Sequence, residues 1–419
     1  MSLARCGGPA PAHPILAIMR ARTVQAGVAA VVLGLGLWHA APADEPVTCA
    51  AGETRAAWIA TVQTIDWPSR PGLAVADQQR EYRELLDDVR GHGLNTVFVQ
   101  VRPTADALWP SPYEPWSHWL TGEQGKDPGY DPLAFLVEEA HARGLAFHAW
   151  FNPFRVSRQA DPAQLVPEHP ARVHPDWVFS YGGQLYYDPG VPAVREFVTD
   201  VVADVAERYP VDGIHFDDYF YPYPAGGEQI PDAATHAAHG AGFPDVGDWR
   251  RHNVDEFVEG VAARLAAVEP DLAFGVSPFG IWRNASQDPR GSATSGTQSY
   301  DTTFADSYRW VREGWVDYVV PQVYWEIGHP SADYAVLVPW WAQAVAGTGV
   351  ELYIGQAAYK VGSSPAWDDG ELTEHIALDR EHPEVRGAAY FSARSLVTNA
   401  SAAMERVETD HYACPPTTR

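Results

Sequence analysis

The chain has 419 residues, 46% of them hydrophobic and 20% charged, with 16 Trp, 19 Tyr and 15 Phe. That apolar share is enough for a packed core and excludes wholesale disorder. Asp and Glu outnumber Lys and Arg by 54 to 29, a formal charge of −25, which argues against nucleic acid or an anionic membrane surface as partner.

Residues 1–43 read as a secretory signal peptide. Arg20 and Arg22 precede an apolar run at 26–38, and Ala41-Pro42-Ala43 supplies a small-x-small cleavage pattern. An uncleaved N-terminal anchor is the alternative. Cleavage is expected to leave the protein secreted or in the cell envelope, with no membrane attachment. Residues 44–52 follow as a short N-terminal segment.

From 53 to 408 one pattern recurs: a short apolar run rich in strand formers, a loop, then an amphipathic helix. The runs are 55–62, 96–103, 146–154, 213–220, 273–280, 318–325, 351–359 and 387–395. Helices are predicted at 78–92, 131–143, 191–209, 249–268, 300–312, 332–345 and 371–381. Alternation with no doubled strand predicts a parallel sheet, and eight units predict a single-domain (β/α)8 TIM barrel. Residues 409–419 form a C-terminal tail. Cys6 leaves with the signal, whereas Cys49 and Cys414 remain near the two ends of the mature chain. Export permits a disulfide between them, and a closed barrel would bring those ends together.

The connections at 104–130, 155–190, 221–248 and 281–299 are long, and the helix-to-strand returns are short. In this fold the strand-to-helix loops share one face, so the asymmetry marks the functional end. Strand four runs into Asp217-Asp218-Tyr219, and paired acids at a strand end suit acid/base or nucleophilic work. Strand alternation predicts that the two carboxylates point apart, so a second acid is sought elsewhere. Glu326, just past strand six, is the best placed; Asp66, Asp106 and Asp301 compete.

The other strand ends are polar and aromatic: Arg102 and Asp106; His148, Trp150 and Asn152; Trp282; Gln322, Tyr324 and Trp325. Aromatic faces beside amide, guanidinium and carboxylate groups suit a polyhydroxylated ring. The chain has no HExxH or CxxC spacing, no G-x-S-x-G elbow and no glycine-rich phosphate loop. No metal or cofactor is therefore expected; His236, His239 and His252 lack metal-site spacing.

Seven stretches together resemble one family. They are TRAAWIATVQTIDWPS, NTVFVQVRPTADALWPSPYEPWSHWLTG, HAWFNPFR, DGIHFDDYFYPYP, FGVSPFGIWRN, TSGTQSYD and VDYVVPQVYW. In this order, across roughly 53–400, they are similar to the glycosyl hydrolase-like 10 family of exported bacterial barrels. The resemblance implies cleavage of glycosidic bonds in a polysaccharide, above all bacterial cell-wall glycan stripped of its peptides. It implies Asp217 and Asp218 as catalytic centre, with Arg102, Asn152, Gln322 and Tyr324 lining the site. The chain departs from chitinase-like barrels, whose strand four ends DGxDxDxE, because Tyr219 stands at the glutamate position. Two rival readings are a non-catalytic carbohydrate-binding barrel and a metal-assisted carbohydrate deacetylase.

Overall fold

The structure, a computed structural model, describes residues 52–414. The expected signal segment and Cys49 lie outside the described residues. Among the described residues, eight barrel strands alternate with helices. They are β1 (Thr54–Ile59), β2 (Thr96–Arg102), β3 (Ala146–Phe151), β4 (Gly213–Phe216), β5 (Ala273–Val276), β6 (Tyr318–Val319), β7 (Glu351–Gln356) and β8 (Val385–Tyr390). Each pairs in parallel with its neighbours in sequence, and β1 pairs β8, so the sheet closes.

The main helices are α1 (Val75–Gly91), α2 (Pro132–Ala142), α3 (Pro192–Arg208), α4 (Val246–Val268), α5 (Ser307–Glu313), α6 (Tyr334–Val345), α7 (Glu371–Asp379) and α8 (Ser401–Asp410). The last of these is absent from the sequence reading. The helix predicted at 300–312 is broken. Phe304 sits at φ 54°, and Asp306 restarts the helix by accepting from the Arg309 amide at 3.3 Å.

Strand alternation divides the core in two. Ala57, Ile59, Val97, Val99, Phe147 and Ala149 face outward to the helices. Ala56, Trp58, Phe98, Trp150, Tyr318 and Tyr353 fill the lumen. Phe98 stacks on His215 at 4.3 Å, and the Tyr318 hydroxyl contacts Nδ1 of His148 at 2.8 Å and of His215 at 3.1 Å. Small residues make room for these rings. A methyl group on Gly275 would lie 2.2 Å from the Tyr318 ring. Gly275→Ala is therefore expected to cost about 1–3 kcal/mol, read as a lower urea midpoint at unchanged slope. An unmoved midpoint would mean that the lumen repacks freely.

The barrel seam is fastened at the loop end. Asp66 accepts from the Ala60 amide at 2.7 Å with one oxygen, and from Ser392 Oγ at 2.6 Å and the Arg394 amide at 2.8 Å with the other. At the opposite end Arg55 stacks on Tyr412 and donates to the Cys414 carbonyl at 3.0 Å. Cys414 is disulfide-bonded.

The connection after β3 carries structure that the sequence reading left as loop. Arg155–Ser157, Gln184–Tyr187 and Val178–Tyr181 form a three-stranded antiparallel sheet with Gln184–Tyr187 in the middle. Its hairpin turns on Gly182-Gly183, both at positive φ, as a two-residue turn of this hand requires.

Candidate active site

The strand-end loops enclose a cavity of about 380 Å³ at the mouth of the barrel. Regular β4 pairing stops at Phe216. Asp217 and Asp218 follow it, and both line this one cavity. The expectation that alternation would aim them apart is thus corrected: alternation governs a paired strand, and the strand has already ended.

A chain of amides orients Asp217. The backbone N–H groups of Thr61 and Val62 can only donate, and both point at Oε1 of Gln100, at 3.0 and 2.9 Å. Gln100 must then present its NH₂ to Oδ1 of Asn152, which leaves the Asn152 NH₂ for Oδ2 of Asp217. The Trp150 indole N–H reaches the same oxygen at 3.3 Å, and the Tyr219 amide reaches Oδ1 at 3.1 Å. Arg155 braces Asn152 through Oδ1 at 3.1 Å.

These donors favour the ionised carboxylate, but burial opposes them and wins. Burial first, and the neighbouring Asp218 charge second, push Asp217 up to about 7. Burial also raises Asp218, which the donated Tyr223 hydroxyl and Gln322 hold down. Two adjacent carboxyls in different surroundings can carry different protonation states, and such pairs divide acid from base.

Aromatic residues wall the cavity: Trp58, Trp150, Tyr219, Tyr324, Tyr359 and Phe391. Tyr359 stands at the rim, 46% exposed, with its ring edge-on to Tyr324 at 6.1 Å. Gln63 lines the opening with φ at 55°, an uncommon backbone for a residue with a side chain.

Of the residues proposed from sequence, Asp217, Asp218, Trp150, Tyr219, Gln322 and Tyr324 line the cavity. Asn152 reaches it through Asp217. The others sit elsewhere. Arg102 is fully buried against Glu114 and donates to the carbonyls of Asn152 and Pro153 at 2.6 and 2.9 Å. Asp106 is buried within the β2 loop, where Thr104 and the His118 amide donate to it; burial lifts it to about 7. His148 packs in the lumen, held neutral by burial down to about 4, and borders the cavity at the far end of the barrel.

Trp282 donates to Asp306 at 2.8 Å from a buried position, and Trp325 packs edge-on to Phe279 at 5.4 Å. Glu326 accepts from the Trp367 indole at 3.1 Å, and its carboxylate lies outside the cavity. A strand-end position alone could not show these residues turning to buried partners in distant loops. The sequence reading does not single out Arg158 and Tyr223 for the site. Gln100 and Arg155 stand at strand ends that it did read as polar, and Tyr223 lies inside the aromatic run after β4. Among the described residues no cluster of His, Cys, Asp and Glu is arranged to hold a metal ion.

The family model described as glycosyl hydrolase-like 10 matches residues 53–371. Glycosyl hydrolase YngK of Bacillus subtilis is 49% identical over 369 residues, covering 87% of this chain and 72% of that protein. Glycosyl hydrolase DigH of Escherichia coli K12 is 42% identical over 361 residues, covering 80% of this chain and 82% of its own. Two solved structures share the fold. The PgaB glycoside hydrolase domain of Bordetella bronchiseptica has a TM-score of 0.54 at 13% identity, over 85% of this chain and 98% of that one. The β-amylase catalytic domain of Paenibacillus polymyxa has a TM-score of 0.54 at 12% identity, over 87% and 99%. The chain therefore belongs to the glycosyl hydrolase-like 10 family and is, by class, a glycoside hydrolase.

Proposed function

We propose that the protein is exported and cleaves O-glycosidic bonds in bacterial cell-wall glycan, with Asp217 and Asp218 as its reacting carboxyls. One observation carries this reading: two buried carboxyls share one aromatic-walled cavity, and one of them keeps its proton close to neutral pH. Asp217 gives that proton to the leaving oxygen of the glycosidic bond. Asp218, ionised, faces the positive charge that develops at the anomeric carbon as the bond breaks. Water supplies the new hydroxyl, and its proton returns to the pair. The aromatic walls stack on the C–H faces of the sugar rings, and Gln322 offers an amide to the hydroxyls. The signal-like segment supports the location, since wall glycan is the first polymer an exported bacterial protein meets.

The test incubates the purified protein with peptide-free wall glycan and reads the products by mass spectrometry. Soluble oligosaccharides carrying one added water per cut are expected. Binding without any cut would overturn the reading in favour of a carbohydrate-binding barrel. Loss of acetyl groups from intact strands would favour the deacetylase.

A further inference from the structure

Acids outnumber Lys and Arg by 54 to 29 in this chain, and most arginines among the described residues lie beside a carboxylate. Arg158 does not. It is exposed at the opening of the catalytic cavity, with no ion pair or hydrogen bond among the described residues. Its local backbone explains how it gets there. Along a regular strand, residues three apart face opposite sides. The strand that holds Arg155 ends at Ser157, so Arg158 follows it free of that alternation, and Arg155 and Arg158 both line the cavity.

Four charged side chains line that cavity: Arg155, Arg158, Asp217 and Asp218. Even with both carboxyls ionised, the two guanidiniums balance them, so the cavity carries no net negative charge. The whole molecule, by contrast, carries a formal charge of −25. A neutral sugar gives no reason for an unpaired guanidinium at the entrance. An anionic sugar does, because the acidic molecule as a whole repels it and a guanidinium at the entrance attracts it.

Resting on the reading under Proposed function, we propose that Arg158, backed by Arg155, reads a carboxylate carried by the substrate. The carboxylate that wall glycan offers is the lactyl ether of a muramic residue, free only where the peptide has been removed. Arg158 is thus the residue by which the cavity tells a bare strand from a peptide-bearing one. A guanidinium matches a carboxylate as a two-pronged donor, and an amide in its place removes one charge and one prong.

The test compares peptide-free strands with the same strands carboxyl-methylated, using the wild type, Arg158→Gln and Arg158→Lys. The wild type is expected to prefer the free carboxylate by about tenfold in kcat/KM, mostly through KM, with the preference shrinking at high salt. Arg158→Gln should erase the preference, and Arg158→Lys should restore part of it. A uronate–hexosamine copolymer serves as a second source of carboxylate, and preferential cutting of that polymer would overturn the lactyl assignment. Equal cutting of free and methylated strands by the wild type, or an unchanged preference in Arg158→Gln, would overturn the role of Arg158. No cutting of any strand by the wild type would instead sink the hydrolase reading beneath it.

Discussion

Asp217→Asn is expected to lower kcat by about 10²–10⁴-fold on any glycan the wild type cuts, with the fold retained. The amide keeps the shape and lacks the acidic proton. The wild type carries its own signature of the same proton. Asp217 sits at about 7, so the rate should fall as pH rises through that value. Asp218→Asn removes the second-largest cause of the elevation, the neighbouring charge. Whatever activity remains should lose its basic limb at a lower pH than the wild type does.

Stability gives an independent reading of the same group. The Asp217 carboxyl is raised in the folded state, so between about 4 and 7 the folded chain binds the proton that the unfolded chain has released. Its favourable contribution is present below the lower value and lost as pH rises through the upper one. Asp217→Asn lacks this loss. Its urea midpoint relative to the wild type should therefore climb from pH 4.5 to pH 8. Full activity in Asp217→Asn, or a basic limb unmoved in Asp218→Asn, would remove the acid role from Asp217.

The eight strands and most of the helices are legible because apolar periodicity is a local property of the chain. The closing pair is legible too, since eight units leave β1 and β8 facing each other. The ends of strands are another matter. Residues 318–325 read as one run, but Pro321 has no N–H for the ladder, and regular pairing stops at Val319. Gln322 re-engages through isolated bridges to Phe279 and Gly355, which returns its side chain to the cavity. Asp217 and Asp218 illustrate the same limit. A rule that holds along a paired strand was carried one residue beyond it.

Arg102 shows a different limit. Its position at the end of β2 suggests a cavity residue, but its partner, Glu114, lies in the long loop that follows. Nothing in the spacing says how that loop folds back. Arg158 is hidden for another reason: it follows the last residue of a three-residue strand in a segment whose sequence reads as loop, so no periodicity marks it.

Glu114→Ala is expected to lower the unfolding free energy by about 3–5 kcal/mol, because it leaves the Arg102 guanidinium buried with its charge unanswered. Both side chains are fully shielded from solvent, with Nε to Oε2 at 2.6 Å and Nη2 to Oε1 at 2.5 Å. The Arg80–Asp77 pair is as short, at 2.5 Å, but its side chains are 56% and 42% exposed. Asp77→Ala should leave the urea midpoint where it is, so burial and not contact distance decides the outcome.

The same substitution should reach the chemistry. Arg102 also holds the carbonyls of Asn152 and Pro153, and Asn152 is one of the donors on Asp217. Releasing that segment weakens a hydrogen bond that favours the ionised form of Asp217. The basic limb of the rate profile should then move to higher pH as kcat falls. A simple loss of stability would scale the rate and leave the limb in place. That result would reduce Arg102 and Glu114 to a fastening of the loop, with no hand in positioning the acid.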